Sequence, residues 1–172
     1  MTGTRKLAAT ALLLLLVGFG LCEAKAQVVG TWTIVSSINE QNGKKADTYG
    51  PAAKGMMTLD AGGRYSLMII GSDLPRYASN NRMTGTAEEY KAIASRSNAH
   101  FGTYVVNETN KTITFKFGSA TFPNWNGTEQ TRTLSLNGDD LQYAVAASGA
   151  GGSSVVTWRR MPQSNANARV AP

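Results

Sequence analysis

Cysteine is nearly absent from this sequence, since Cys22 is its single instance in 172 residues. Cys22 lies in a segment interpreted below as a cleaved leader, so the remaining chain can form no disulfide and no zinc site built from cysteine and histidine. Small secreted domains usually depend on disulfides when their core is too small to stabilise them. Their absence therefore predicts a closed, well-filled β structure that is stabilised by packing and strand pairing.

Histidine is as scarce, with His100 as its single instance. No nucleophile or acid stands at a spacing from His100 that indicates a catalytic triad, so the sequence favours a structural histidine. The glycine-rich segments at 61–63 and 150–152 precede strands or turns and do not match a phosphate-binding loop. The 17 lysines and arginines are spread along the chain, which argues against a nucleic-acid partner. We expect no cofactor and no metal.

A long apolar run occurs at the start of the chain, where Arg5 and Lys6 precede the almost wholly apolar residues 7–21. This pattern is typical of a secretory signal, and the run is short for a membrane span. Ala24-Lys25-Ala26 matches a small-x-small cleavage pattern, which predicts a signal peptide at 1–26 and a mature start at Gln27. The protein is then expected to be secreted, into the periplasm, with no stable membrane insertion after cleavage.

A lipoprotein anchored through Cys22 is the alternative interpretation of this leader. A lipobox requires a small residue before its cysteine, and this chain has Leu21 there. The sequence therefore favours cleavage before Gln27 over lipidation.

After the leader, short apolar runs alternate with turn signals at a regular spacing. The pattern predicts strands at 28–38, 54–59, 64–70, 101–106, 112–119, 129–136, 141–147 and 154–160. Thr86 stands three residues before Glu89, a capping-box spacing that predicts one helix over 87–97, after the third strand. Eight evenly spaced strands with short turns predict an all-β, antiparallel up-and-down barrel at 27–162, with an interior able to hold one small ligand. The polar residues 163–172 have no periodicity and are expected to be disordered.

Several motifs carry a resemblance to a known family. Gly30-Thr31-Trp32 resembles the Gly-x-Trp signature that opens the lipocalin barrel, and Trp158-Arg159-Arg160 resembles the place where an arginine crosses that tryptophan. Between them, the chain is similar to the bacterial and fungal lipocalin-like domain family in motifs that include Tyr49-Gly50-Pro51, Gly63-Arg64-Tyr65-Ser66, Arg76-Tyr77-Ala78-Ser79, Phe101-Gly102-x-Tyr104 and Phe122-Pro123-Asn124-Trp125. The resemblance implies a calycin-type barrel of eight strands, in which Gly30, Trp32, Arg159 and Arg160 have structural roles at the closed end.

One departure from that family concerns the fifth predicted strand. Many relatives carry two histidines after a Thr-x-Thr there, whereas this chain has Thr112-Ile113-Thr114-Phe115-Lys116. Any proton transfer by those histidines is therefore excluded in this protein.

Arg132 is the most informative polar residue of the predicted strands. It shares a face with Gln130, Leu134 and Leu136, so it points into the barrel if the leucines do. An unpaired buried charge costs several kcal/mol, so Arg132 needs a partner. A ligand carboxylate could supply it, and so could an acidic or carbonyl group of the protein itself.

A second group of candidates belongs to the loops beside the barrel. Arg64, Arg76 and Arg82, with Tyr65, Tyr77 and Trp125, could form an aromatic and cationic rim over the cavity. The alternative is that the arginines are ordinary loop anchors and that Trp125 plugs the opening. The apolar lining is expected to come from Met56, Met57, Met68, Phe115 and Phe117, with ordinary core packing as the alternative for each.

These observations favour binding of a small hydrophobic or amphiphilic molecule, an anionic one included. The predicted ligand-binding residues are Arg132, Tyr65, Arg76, Arg82, Tyr104, Trp125, Met68 and Phe115. A cofactor-free isomerase or cyclase that uses Tyr65, Tyr104 or His100 as acid or base is one alternative. A filled barrel with a structural role is the other. The sequence names neither the ligand nor the oligomeric state.

Overall fold

The computed structural model describes residues 27–162. Within this range the strands are β1 (Gly30–Gln41), β2 (Lys44–Asp47), β3 (Lys54–Leu59), β4 (Arg64–Ile70), β5 (Ser97–Asn107), β6 (Thr112–Ala120), β7 (Glu129–Asn137), β8 (Asp140–Val145) and β9 (Ser153–Arg160). Helix α1 (Ala87–Arg96) lies between β4 and β5, and a 3-10 turn (Pro123–Trp125) lies between β6 and β7. The predicted signal peptide and disordered tail fall outside the described residues.

The strands form one antiparallel sheet that closes on itself. Their order is β2-β1-β3-β4-β5-β6-β7-β8-β9, and β1 pairs with β9 as well. That pairing closes eight strands into a barrel, while β2 extends β1 as a hairpin beyond the closed set. The predicted eight-stranded up-and-down barrel is confirmed, with its helix after the third barrel strand, β4. Because the sheet is closed, the eight barrel strands leave no free edge.

Alternation along the strands explains the core. In β4, Tyr65, Leu67 and Ile69 are buried while the residues between them are exposed. Strand β8 repeats the pattern with Leu141, Tyr143 and Val145. Successive side chains of a strand point to opposite faces, so each strand places every second residue inside the barrel.

A bulge between β5 and β6 requires a residue without a side chain. The pairing register shifts between Phe101 and Gly102. A Cβ atom at Gly102 would lie 2.0 Å from the carbonyl oxygen of Lys116. Glycine therefore allows the two backbones to approach and the sheet to bend at this point.

Two segments differ from the expected elements. Strand β1 continues to Gln41 and turns through Asn42-Gly43, both with positive φ, into β2, where a loop was expected. Asn-Gly is a pair typical of tight hairpin turns, but the residues of β2 are all exposed and show no apolar alternation that would indicate a strand. Strand β5 begins at Ser97, directly after α1, so His100 belongs to a strand.

The end of the barrel where β1 begins and β9 ends, here called the closed end, is sealed around Trp32. The Trp32 side chain is fully buried, and its indole N–H donates to the carbonyl of Val28 over 3.0 Å. The Arg160 guanidinium lies 4.2 Å from the centre of the Trp32 ring and donates to the carbonyl of Val29 over 2.9 Å. Gly30 has φ of 146°, and a Cβ atom there would lie 2.7 Å from an Arg160 nitrogen.

Arg160 is therefore the arginine that crosses Trp32, a choice between Arg159 and Arg160 that the sequence left open. Arg159 lies on the outer face of β9 and forms an exposed ion pair with Asp140, with 2.9 Å between Nε and Oδ1. Adjacent residues of one strand point to opposite faces, so Arg159 and Arg160 cannot both cover the same ring.

No helix within residues 27–162 is both long enough and apolar enough to cross a membrane.

Candidate functional site

A cavity of about 480 Å³ lies at the opposite end of the barrel, here called the mouth end. Strand β4 ends there and β5 and β9 begin there, so residues from α1, the 3-10 turn and the β8–β9 loop reach the cavity. Its wall combines aliphatic and aromatic side chains with a smaller polar set. Its aromatic and polar lining residues include Tyr49, Asn98, His100, Trp125, Arg132 and Tyr143.

Arg132 extends from β7 into the barrel and is 3% exposed. Its guanidinium carbon lies 4.9 Å from the centre of the Phe115 ring and 4.8 Å from that of Tyr143. One of its nitrogens donates to the side-chain carbonyl of Gln130 over 2.9 Å, and its Nε has no hydrogen-bond partner. The prediction that Arg132 points inward with the leucines of β7 is confirmed.

No ion pair joins Arg132 to a carboxylate of residues 27–162. Aromatic faces and one amide oxygen hold the guanidinium in place, but neither removes its charge. A buried charge without a counter-charge destabilises the folded protein, and an anion placed beside it would offset that cost. The site is therefore suited chemically to a group that accepts hydrogen bonds and carries negative charge.

His100 stands on the cavity wall and is 4% exposed. Its Nδ1 lies 3.0 Å from the Tyr65 hydroxyl, and its ring packs edge-on against Trp125 with centroids 5.7 Å apart. Burial, assisted by the Arg132 charge, lowers the pKa of His100 to about 3. The imidazole is therefore neutral near pH 7 and contributes a polar edge to an otherwise aromatic wall.

The tyrosines around the cavity keep their protons. Burial raises the pKa of Tyr65 and of Tyr143, although the Arg132 charge opposes the rise at both. Burial likewise raises the pKa of Tyr49, whose hydroxyl accepts a hydrogen bond from the Asn98 amide over 3.2 Å. An efficient acid or base has a pKa near the working pH, and these groups are shifted away from it. The arrangement is better suited to holding a molecule than to moving its protons.

Hydroxyl and amide groups surround the mouth end. The Ser37 hydroxyl donates to Thr48 over 3.0 Å, which ties β1 to the residue after β2. The Asn39 side-chain carbonyl accepts from Ser148 over 3.0 Å and from Ser154 over 2.8 Å, which ties β1 to the β8–β9 loop and to β9. These bonds hold three segments of the rim in fixed positions.

The structure brings together some of the predicted ligand-binding residues. Arg132 and Trp125 line the cavity. Tyr65 and Phe115 are buried directly behind the wall, where their rings meet with centroids 4.7 Å apart. Tyr65 reaches the site through His100, and Phe115 reaches it through Arg132. The remaining predicted residues lie elsewhere.

Met68 points away from the barrel interior, which corrects its expected place in the lining. Met68 is 49% exposed, and its cross-strand partner Met56 is 44% exposed. Met57, in contrast, is buried. Residues 67–70 are all apolar, so the sequence could not show which of them face inward. Leu67 and Ile69 do, and Met68 between them therefore faces outward.

Tyr104 and Arg64 lie at the closed end, so neither belongs to the rim or wall of the cavity. The Tyr104 hydroxyl donates to the carbonyl of Asp60 over 2.8 Å, and Arg64 forms an exposed ion pair with the Asp60 carboxylate over 2.8 Å. Alternation along a strand shows whether a residue faces inward or outward, but not which end of the barrel it lies near. Strands β4 and β5 both run from one end of the barrel to the other, so a residue in them can lie at either end.

Arg76 and Arg82 are exposed on the segment between β4 and α1 and do not line the cavity. That segment is fixed to the helix instead, since the Glu89 carboxylate accepts from the backbone of Ala78 over 2.8 Å. The expected cationic rim is therefore not formed by these two side chains.

Sequence reasoning did not identify Tyr49, Asn98 and Tyr143 as lining residues. For Tyr143 the signal was present, because it alternates with Leu141 and Val145 in β8. Asn98 lies in the part of β5 that precedes the predicted strand, because β5 begins four residues earlier than expected. Tyr49 lies in a turn, where no periodicity indicates direction.

Within residues 27–162 no group of histidine, cysteine, aspartate or glutamate side chains is placed to hold a metal ion.

Fold and site together define a class, the closed antiparallel β-barrels with an internal cavity at one end. Within that class, the sequence profile of the lipocalin-like domain family matches residues 29–161. The protein belongs to this family, which confirms the resemblance drawn from the motifs between Gly30 and Arg160.

Two individual proteins are similar to the chain. The 4'-hydroxy-3'-methoxypropiophenone carrier protein ppsC of Aspergillus oryzae (strain ATCC 42149 / RIB 40) is 27% identical over 109 residues, which cover 57% of this chain and 97% of that protein. A mutant of the fluorescent protein UnaG is 16% identical and aligns with 78% of this chain and 96% of its own, with a TM-score of 0.33. The family assignment rests on the sequence profile.

Proposed function

We propose that this protein binds one small, largely apolar molecule with a polar group in the cavity at the mouth end. The observation that carries the proposal is the cavity itself, whose volume of about 480 Å³ lies between a wall of apolar and aromatic side chains and the buried Arg132. Binding sites for small molecules commonly have this size and this composition. The apolar wall would supply affinity, and the few polar groups would fix orientation.

The relative from Aspergillus oryzae supports a carrier role, because its name describes it as a carrier of an aromatic ketone. The wall here is aromatic as well, with Trp125 and Phe122 packed edge-on at 5.4 Å beside His100. Flat aromatic molecules gain dispersion and edge-to-face contacts on such a wall. We therefore place aromatic compounds first among the candidate ligands.

The binding test uses two probes, the uncharged dye N-phenyl-1-naphthylamine and 4'-hydroxy-3'-methoxypropiophenone, each titrated into the purified barrel. Val145 lines the cavity, while its neighbour Ala144 points outward. Val145→Phe fills the cavity and is expected to weaken saturable binding about tenfold or more, whereas Ala144→Phe leaves it unchanged. Absence of saturable binding by either probe would instead favour a filled barrel with a structural role.

We further propose that the protein acts after export. The predicted signal peptide at 1–26 supports this, and cleavage would leave Gln27 as the first residue. Intact mass measurement of protein recovered from the periplasm of the native host tests it. A mass that includes residues 1–26, or a lipid on Cys22, would contradict cleavage before Gln27.

A further inference from the structure

We propose that the bound molecule carries a carboxylate, which binds Arg132 at the inner boundary of the cavity, and that its apolar part extends toward Trp125 at the mouth end. This inference rests on the proposed function and names the chemical class of the ligand. It depends on how Arg132 is held, on the groups around it and on the direction in which the cavity runs.

The Arg132 guanidinium is buried and only partly hydrogen-bonded. Arg132 is 97% buried, its Nε donates to nothing, and one terminal nitrogen donates to Gln130. Among residues 27–162, the side chains that line the cavity include no aspartate or glutamate. A guanidinium with a free Nε–H donor and no counter-charge suits a carboxylate, because hydrogen bonds between oppositely charged groups belong to the stronger class.

In the part of the chain that the structure describes, no titratable neighbour of Arg132 supplies the missing negative charge. Tyr65, Tyr143 and Tyr49 have raised pKa values and stay protonated, and His100 is neutral above the low pH at which it titrates. The cavity therefore keeps one positive charge across the neutral range. A monoanion neutralises it, whereas an uncharged ligand leaves it buried and unpaired.

The side chains around Arg132 indicate the orientation of the bound molecule. The Arg132 guanidinium packs on Phe115 and, at 5.9 Å, on Phe117, and both rings are buried behind the wall. Trp125 and Phe122 border the cavity from the segment between β6 and β7, and each retains exposed surface. A charged head at Arg132 thus leaves the apolar body among side chains that would otherwise face water.

The test compares two ligands that differ in charge and are nearly equal in shape, 1-naphthaleneacetate and 1-naphthaleneacetamide. Each displaces N-phenyl-1-naphthylamine from the protein near pH 7, and calorimetry gives the direct affinity. The carboxylate is expected to bind about tenfold to a hundredfold more tightly than the amide, which is the range for a charge-assisted hydrogen bond. Arg132→Met is expected to abolish that preference while dye binding is retained.

Arg64→Met serves as the matched control, because Arg64 is an exposed arginine at the closed end. It should keep the full preference for the carboxylate. If Arg132→Met does not fold, Arg132→Gln removes the charge while keeping a polar side chain. Equal affinity for acid and amide, or a preference that survives both Arg132 variants, overturns the inference and leaves small-molecule binding intact. Failure of the dye and both naphthalene ligands to bind overturns the proposed function together with it.

Discussion

Arg132 was recognisable from sequence because its strand gives an unambiguous signal. Leu134 and Leu136 share its face, and the other face carries Thr131, Thr133 and Ser135. Gln130 was recognisable as a neighbour on the same face, two residues away on the same strand, whereas the contact with Tyr143 was not, since Tyr143 belongs to the next strand. The alternation of apolar and polar residues shows which side of the sheet a residue faces, while its contacts with other strands depend on the register and tilt of those strands.

Arg132→Met is expected to stabilise the ligand-free protein by about 1–2 kcal/mol. A methionine of similar reach fills the space between Phe115 and Tyr143 without burying an unpaired charge, and such replacements are often neutral or stabilising. Urea unfolding of the ligand-free wild type and variant measures the difference. A loss of stability of similar size would show that the guanidinium is a packing element of the barrel core.

Helix α1 is the element in which local sequence and structure agree most closely. The Thr86 hydroxyl accepts from the Glu89 backbone, and the Glu89 carboxylate accepts from the Thr86 backbone, as the spacing predicted. The helix ends at Arg96, one residue before the predicted end, because β5 begins at Ser97. Its place beside the cavity, which Ala94 and Ser95 line, depends on packing against the barrel, and the capping spacing did not indicate it.

Glu89→Gln is expected to make the amides of α1 and of the segment before it exchange severalfold faster. The carboxylate binds the backbone N–H groups of both Ala78 and Thr86, which lowers the pKa of Glu89. A lowered carboxyl pKa means that this contribution is present above the ordinary pKa and is lost as the pH falls through the lowered one.

Glu88→Gln is the matched control, since Glu88 carries the same charge in the same first turn. Hydrogen exchange with mass spectrometry compares the two variants at one pH. Equal acceleration in both would mean that the helix dipole, and not the pair of hydrogen bonds, accounts for the effect.

At the scale of the whole molecule, the barrel could be predicted because strand spacing and turn residues act locally. The hairpins at Asn137-Gly138 and between β3 and β4 need no information from elsewhere in the chain. Closure of β1 on β9 joins residues far apart in sequence, and it was implied by the family resemblance. The position of the cavity depends on all eight strands together, so Tyr104 and Arg64 were placed at the wrong end.

The global stability is expected to fall by about 2–3 kcal/mol between about pH 6.5 and pH 4.5 because of His100. Its folded pKa of about 3 lies below its ordinary value of 6.5, so the unfolded chain takes up a proton in this window and the folded protein does not. Stability is then complete above the ordinary pKa and decreases as the pH falls toward the folded one. Urea unfolding across this window measures the slope.

His100→Gln removes the titrating group, so its stability should change little over the same window even if the variant is less stable throughout. Among the exposed carboxylates with lowered pKa values, Asp60 and Asp140 act below their ordinary value of 3.8 and Glu89 acts below its ordinary value of 4.5, so all three act at or below the lower end of this window. An equal slope in wild type and variant would show that another group is responsible.

The contacts of Arg160 have a practical consequence for immobilising, labelling or fusing the protein. Arg160 donates to the carbonyl of Gln27, and the backbone of Met161 donates to Thr31 over 2.8 Å, so both ends of the described chain emerge side by side at the closed end. The cavity lies at the other end. A resin, a fluorophore or a fused domain joined beside Gln27 or Met161 is therefore attached at the end of the barrel opposite the cavity, and the barrel can be immobilised there without obstructing it.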